Sequence, residues 1–105
     1  VSFASFLNKS LHCDVSTSCQ HGGLLQLTRW MATVMSPSIR VNSISPGGIE
    51  RSQPNVFKEK YIARTPLGRM GREEDITGAV AFLASDMSSW ITGIDISVDG
   101  GWGAW

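Results

Sequence analysis

Residues Ile39–Ile49 read IRVNSISPGGI, and this stretch decides the fold. β-Branched residues recur up to Ser45, which predicts a strand over Ile39–Ser45, and the following Pro46-Gly47-Gly48 ends it. A glycine turn directly after a strand lets backbone approach a ligand closely, because glycine has no side chain in the way. Taken alone, the turn is interpreted as one that simply ends the strand, and a ligand-binding turn is the alternative.

Helices are predicted on both sides of the strand. Apolar residues between Gly22 and Ser36 cover roughly 220° of a helix, wide enough to rest on a sheet with one flank and on another helix or a second subunit with the other. A short helix is predicted around Asn55–Arg64. A further helix opens with three carboxylates at 73–75, which complement the positive end of its dipole. The long connection from Gly48 to Arg72 is typical of a functional loop.

The two ends of the chain supply further strands. Val1–Ser5 suits a short strand, whereas Phe6–His21 shows no apolar period and is predicted to be irregular. Near the other end, apolar and polar residues alternate over Ile94–Asp99, as in a strand with one buried face. The order strand, helix, strand, helix, strand predicts an α/β fold of about three parallel strands with right-handed crossover helices.

Composition excludes several classes of protein. The chain has 105 residues, nine Lys and Arg against nine Asp and Glu, and only two cysteines. This length supports one core, and a net charge of zero favours neither nucleic acid nor a membrane surface as partner. No apolar stretch is long enough to cross a bilayer, so we expect a cytoplasmic protein with reduced thiols. Because the first residue is Val1 rather than Met, we also expect a processed product or part of a longer protein.

Four stretches carry a family resemblance: GGLLQLTRWMA from residue 22, IRVNSISPGGI from 39, TPLGRMGREEDITGAVAFLASD from 65 and SSWITGIDISVDGGW from 88. In this order and spacing they resemble the C-terminal half of the short-chain dehydrogenase/reductase family, over about four fifths of the chain. SPGGIE and VDGGWGAW are similar to bacterial members associated with flagellin-glycan and nonulosonic-acid pathways. The resemblance implies one partial Rossmann-type domain over 1–105, in which 1–21 is a divergent strand and loop and 22–105 is family-like.

The resemblance also implies NAD- or NADP-dependent hydride transfer between an alcohol and a ketone. Family members use a tyrosine four residues before a lysine as the acid/base pair, and a serine about twelve residues earlier to bind the carbonyl. Those positions fall on Thr17, His21 and Ser5 in this chain. Thr17 has no pKa near neutrality, whereas His21, with an ordinary pKa of about 6.5, could transfer a proton. Pro46, Gly47 and Ile49 match the family turn beside the nicotinamide.

The glycine-rich cradle that holds the pyrophosphate of a dinucleotide does not occur in these 105 residues. We therefore expect this chain alone to be inactive, although it resembles part of an oxidoreductase. The alternative is a non-enzymatic fragment that folds or oligomerises only with partners. A homo-oligomer is expected in either case, with a small-molecule substrate in the first.

Two other groups of residues have simpler interpretations. His12, Cys13, Cys19 and His21 do not have the spacing of thiolate pairs in zinc sites, so no metal site is predicted. The tryptophans at 102 and 105 lie among glycines in a tail that, by the resemblance, packs against a neighbouring subunit.

Overall fold

The computed structural model describes residues 2, 3 and 15–104 of the chain. The strands and helices follow each other as β1 (Ser2–Phe3), α1 (Val15–Val34), β2 (Arg40–Val41), β3 (Ser43–Pro46), α2 (Asn55–Arg64), α3 (Glu73–Ala84) and β4 (Asp95–Val98). A single 3-10 turn at Asp86–Ser88 follows α3. None of the helices in this part of the chain is long and apolar enough to cross a membrane.

All strand pairs among the described residues are parallel. β1 pairs with β2, and β3 pairs with β4 along its whole length, from Ser43 opposite Asp95 to Pro46 opposite Val98. Because β2 and β3 follow each other on one segment, that segment has β1 beside its first part and β4 beside its second. The prediction of a parallel α/β arrangement of about three strands is therefore confirmed.

The predicted single strand Ile39–Ser45 is divided at Asn42, whose side chain is almost fully buried at 1% exposure. Its amide nitrogen donates a hydrogen bond to the carbonyl of Ile91 at 3.0 Å, and its amide oxygen accepts one from the N–H of Ile94 at 3.2 Å. The side chain thus replaces backbone pairing where the strand changes partner. Asn42 is therefore a structural group whose amide nitrogen and oxygen are both hydrogen-bonded.

Helix α1 begins earlier than predicted. The irregular conformation expected for Phe6–His21 is wrong for residues 15–21, which form the first two turns of the helix. Serine and threonine there have weak intrinsic helix preference, which is why no helical signal is visible in the sequence. Helix formation is cooperative, so the strongly helical stretch after Gly22 can extend backward through them.

Helices α2 and α3 match their predictions. Pro54 precedes α2, and its carbonyl accepts hydrogen bonds from the N–H groups of Phe57 and Lys58. Thr65 ends the helix in an extended conformation because Pro66 follows it. The N-terminus of α3 carries the three predicted carboxylates.

Arg40 connects the C-terminus of α3 to the strands. Its guanidinium donates to the carbonyls of Leu83 at 2.8 Å and Ser85 at 3.3 Å, and also to that of Ile91 at 3.2 Å. A cation is favourable there because the last carbonyls of a helix carry partial negative charge. The contact fixes α3 against β2, close to the buried Val41.

One flank of α1 is buried and the other is exposed. Thr28 and Ala32 are buried, whereas Leu27, Trp30 and Val34 on the opposite flank are exposed, Trp30 at 58% and Val34 at 60%. Apolar side chains therefore lie on both flanks of the helix, as the sequence predicts. Only one of its two flanks is covered by the residues that the structure describes.

Candidate functional site

The candidate site lies at the carboxyl ends of β3 and β4. Pro46 and Val98 are paired at the last position of the two strands, so the turn Pro46–Ile49 lies beside the turn that begins at Asp99. Open parallel sheets bind ligands at this edge, because the loops that follow the strands meet there. The predicted binding turn and the C-terminal glycines are thereby brought together.

The two glycines of the first turn are required by close packing. The N–H of Gly47 donates to the carbonyl of Val98 at 2.9 Å, and a Cβ at Gly47 would lie 2.7 Å from the Cα of Asp99. A Cβ at Gly48 would lie 2.7 Å from the Cζ atom of Tyr61. Both distances are far below van der Waals contact. The glycines that we assign to ligand approach therefore also make room for neighbouring protein atoms.

Tyr61, on α2, is the central side chain of this region. It is 4% exposed, and its hydroxyl oxygen accepts a hydrogen bond from the N–H of Gly48. Its ring stacks on Trp102 with centroids 5.6 Å apart and on Phe57 at 6.4 Å. Burial raises the pKa of Tyr61; the Gly48 hydrogen bond acts in the opposite direction, and the nearby Asp99 carboxylate raises it further.

Asp99 shapes the turn that brings the C-terminal tail back to Tyr61. Its carboxylate accepts hydrogen bonds from the N–H groups of Gly101 and Gly103, each at 2.9 Å. Gly100 and Gly101 have φ values of 66° and 86°, a conformation that glycine adopts without strain. Trp102 consequently packs on Tyr61 within the chain, with the Arg64 guanidinium 5.3 Å from its ring centre. Trp105 lies outside the described residues.

The two ends of the connection from Gly48 to Arg72 are hydrogen-bonded to each other. Ile49 and Gly71 form a parallel bridge, in which the Gly71 N–H donates to the Gly48 carbonyl at 2.9 Å and the Glu50 N–H to the Gly71 carbonyl at 2.7 Å. The two ends of the loop are therefore held together, with α2 between them. This loop is an ordered wall of the site.

An ion pair also holds the end of this loop in place. The Arg69 guanidinium contacts both carboxylate oxygens of Asp75, at 2.7 and 2.8 Å, and the Arg72 N–H donates to the same carboxylate at 2.7 Å. Arg69 and this backbone hydrogen bond hold the pKa of Asp75 well below its usual range, and Asp75 in turn raises the pKa of Arg69. Asp75 therefore remains charged and holds the loop to the start of α3.

Two clefts flank the binding turn. The smaller, of about 170 Å³, is lined by Gly47 and Gly48 together with Leu67, Arg69, Gly71, Asp75, Val98, Asp99 and Gly100. The larger, of about 390 Å³, has Pro46 and Ile49 on one side and Ile76 and Val80 of α3 on the other. An exposed ion pair between Arg51 and Glu73, at 2.8 Å, lies at its rim. The three predicted cofactor-binding residues are thus divided between the two clefts.

The predicted catalytic positions are only partly described. Ser5 lies outside the described residues, two positions after the last residue of β1. Thr17 and His21 are one helical turn apart in the first turns of α1. Their catalytic roles stay predictions, as does that of Ser5.

The expectation that the chain has no metal site stays a prediction. No three His, Cys, Asp or Glu side chains come together as a metal site in the part that the structure describes. His12 and Cys13 lie outside that part.

Sequence reasoning missed Tyr61 and Asp99 as organisers of the site and missed the contact of Trp102 with Tyr61. The packing of the C-terminal tail against a neighbouring subunit stays a prediction. The only available signals were a lone tyrosine four residues after Phe57 and an aspartate directly before two glycines. These patterns indicate a helix face and a turn, respectively. Neither indicates that the two side chains converge on the Pro46–Ile49 turn.

Comparisons with known proteins agree with this geometry. The profile of a family described as enoyl-(acyl carrier protein) reductase matches residues 6–103, so the match extends into the opening segment that sequence reading left unmatched. The uncharacterized oxidoreductase YmfI of Bacillus subtilis is 38% identical over 95 residues, which is 86% of this chain and 39% of that protein. The post-translational flagellin modification protein A of Campylobacter coli is 36% identical over 102 residues, which is 96% of this chain and 40% of that protein.

A solved structure has the same arrangement. The short-chain dehydrogenase from Leptospira borgpetersenii serovar Hardjo-bovis, crystallised with bound NAD+, is 35% identical and superposes with a TM-score of 0.82, covering 94% of this chain and 44% of that one. The chain spans about two fifths of the length of the curated relatives it matches. Family profile, relatives and fold agree, and the chain belongs to the short-chain dehydrogenase/reductase family.

Proposed function

We propose that this chain forms the carboxyl-terminal part of a nicotinamide-dependent oxidoreductase that interconverts an alcohol and a ketone. The observation that carries the proposal is the Pro46–Ile49 turn, which lies at the carboxyl edge of the parallel strands and is held there by Gly47 and Gly48. Membership in the family and the bound NAD+ of the Leptospira relative support the same assignment. The expected cofactor is NAD or NADP.

The residues around the turn fit a nicotinamide ring. The N–H of Ile49 has no hydrogen-bond acceptor among the described residues, although those of Gly47, Gly48 and Glu50 each have one. Beside it, Pro46 and Ile49 contribute to the apolar wall of the larger cleft. An apolar wall with a free backbone donor suits a flat aromatic ring that carries a carboxamide. When bound, the nicotinamide accepts or delivers the hydride.

The chain's own contribution to proton transfer is proposed to be weak. Hydride addition to a carbonyl leaves a developing alkoxide that must receive a proton from a positioned acid. In this chain Ser5 would hydrogen-bond the carbonyl oxygen, and His21 is the nearest candidate donor because Thr17 has no accessible pKa. His21 is also shorter than lysine and mostly neutral at pH 7, so it gives less electrostatic help to the cofactor.

Activity measurements on a fusion protein test this proposal. The amino-terminal part of the Campylobacter coli relative is joined ahead of Val1, and NADH- or NADPH-dependent reduction is measured on a panel of cyclic, sugar-derived and 3-oxoacyl ketones. The double substitution Thr17→Tyr with His21→Lys is expected to increase the rate at least ~100-fold, the usual contribution of a general acid/base. Thr33→Tyr, on the exposed side of the same helix, is the control and should leave the rate unchanged. A fusion that binds cofactor but gains no activity from the double substitution contradicts the proposal.

The alternative is a chain without enzymatic activity that functions by assembly. The exposed flank of α1 favours it, because Leu27, Trp30 and Val34 are large apolar side chains on one face of the helix that a partner would bury. We propose that a second copy of the chain covers this flank of α1 and that the assembly forms in the cytoplasm. Sedimentation is expected to show a dimer or larger species that Leu27→Glu dissociates and the neighbouring Gln26→Glu does not. A clean monomer at high concentration is evidence against assembly.

A further inference from the structure

Tyr61 joins three segments that are distant in sequence. Its hydroxyl accepts from the Gly48 N–H, its ring stacks on Trp102, and its own carbonyl accepts a hydrogen bond from the Thr65 hydroxyl at 2.8 Å. It is also the only tyrosine of the chain. The binding turn, helix α2 and the C-terminal tail therefore meet at one side chain.

The hydrogen bond to Gly48 is the first contact beyond the end of the strands. Strand pairing reaches its limit where the Gly47 N–H donates to the Val98 carbonyl. The next N–H, that of Gly48, lies in a partly buried turn and needs an acceptor, because an unpaired buried donor is costly. The Tyr61 hydroxyl supplies that acceptor, and the Tyr61 ring covers the space next to the Gly48 Cα.

We propose that Tyr61 is the positioning residue of the Pro46–Ile49 turn. By fixing the Gly48 N–H it sets the direction of the following peptide, which carries the Ile49 N–H. Its part in cofactor binding rests on the proposed function, whereas its control of the turn does not.

Amide hydrogen exchange on the 105-residue chain tests control of the turn without any cofactor. Tyr61→Phe keeps the ring and its stacking and removes only the hydroxyl. The Gly48 amide is expected to exchange about fivefold faster, the factor given by the loss of roughly 1 kcal/mol of hydrogen bonding. The Gly47 amide, which donates to Val98, should keep its rate and is the internal control. Phe57→Leu alters the neighbouring ring but keeps the hydroxyl, and should leave the Gly48 amide unchanged.

Two outcomes overturn this role: an unchanged Gly48 amide in Tyr61→Phe, or equal acceleration of Gly47 and Gly48, which would mean general destabilisation. If Tyr61→Phe fails to fold, biosynthetic 3-fluorotyrosine replaces it, because it labels only Tyr61 and weakens the hydroxyl as an acceptor without changing its shape. The Gly48 amide is again expected to exchange faster, and an unchanged rate again overturns the role.

The connection to the cofactor is measured separately in the fusion protein. Tyr61→Phe is expected to lower its affinity for NADH or NADPH about fivefold, whereas Phe57→Leu is not. Accelerated exchange with unchanged affinity would overturn the connection and leave control of the turn intact. A fusion that binds no dinucleotide would contradict the proposed function instead, and the exchange data would still decide the role of Tyr61.

Discussion

Replacing Gly48 by alanine is expected to destabilise the chain strongly. The new Cβ would lie 2.7 Å from Cζ and 2.8 Å from Cε2 of Tyr61. The Tyr61 ring is 4% exposed and also stacks on Phe57 and Trp102, so it has little room to move away. Overpacking of this kind costs about 1–3 kcal/mol. Loss of the hydrogen bond from the Gly48 N–H adds about 1 kcal/mol. The expected decrease in the free energy of unfolding is therefore ~2–4 kcal/mol.

The same substitution at Gly78 is the matched control. Gly78 lies in the middle of α3, and a Cβ there would meet nothing within 4 Å. Alanine is the better helix former, so Gly78→Ala should stabilise the chain by ~1 kcal/mol. The two variants are compared by equilibrium urea unfolding, followed by far-UV circular dichroism. A difference between them smaller than ~1 kcal/mol would refute the packing described for Gly48.

Removing the Tyr61 ring provides an independent test of the packing between Gly48 and Tyr61. In a Tyr61→Ala background the ring that obstructs the new Cβ is gone. The additional cost of Gly48→Ala should then fall below ~1 kcal/mol, since the two residues are in direct contact and their effects are not additive. Full additivity of the two substitutions would mean that the cost of Gly48→Ala has another origin.

Three further outcomes are expected. Asn42→Ala should lower the free energy of unfolding by about 1–3 kcal/mol in the same urea assay, because the part-buried Ile91 carbonyl and Ile94 N–H lose their partner. The exposed Asn55→Ala should change it by less than ~1 kcal/mol. Tyr61 is the only tyrosine of the sequence, so tyrosinate absorbance reports it alone, and its pKa in the folded chain should lie above the unfolded value of about 10. The stability that this raised pKa contributes is fully present below about pH 10 and is lost as the pH rises through the pKa of the folded chain. For Asp75 the pKa is lowered by Arg69, so its contribution is present above about pH 4 and is lost as the pH falls. Asp75→Asn should accordingly unfold at lower urea than the unsubstituted chain at pH 7, and the gap should close in acid; a constant gap would contradict this.

Local patterns were sufficient for α2 and α3. The carboxylates at 73–75 lie in the helix turn that they predict, and the observed bounds of α2 coincide with Pro54 before it and Pro66 after Thr65. The start of α1 was not predictable in this way, because Ser16, Thr17 and Ser18 favour turns and caps on their own. Their helical conformation depends on the strong helix that follows them.

The site was predictable as a position but not as a set of contacts. The glycine turn after a strand marked the position, and the family resemblance assigned Pro46, Gly47 and Ile49 to cofactor binding. The contact of Tyr61 with Gly48, 13 residues away, depends on how the loop closes between Ile49 and Gly71. The contact of Trp102 with Tyr61 depends on the turn at Asp99. No periodicity in the sequence predicts contacts of this kind, because they depend on how the chain turns between the elements.

Fluorescence titration with NADH and NADPH decides whether this chain completes a dinucleotide site. The 105-residue chain alone is expected to show no measurable binding, because it has no glycine-rich cradle for the pyrophosphate. The fusion with the amino-terminal part of the Campylobacter coli relative is expected to bind with a Kd of roughly micromolar order. Ile49→Pro, which removes the Ile49 N–H proposed to bind the carboxamide, should weaken binding about tenfold. Micromolar binding by the chain alone, or a fusion whose affinity does not respond to Ile49→Pro, would contradict the proposed role of the Pro46–Ile49 turn.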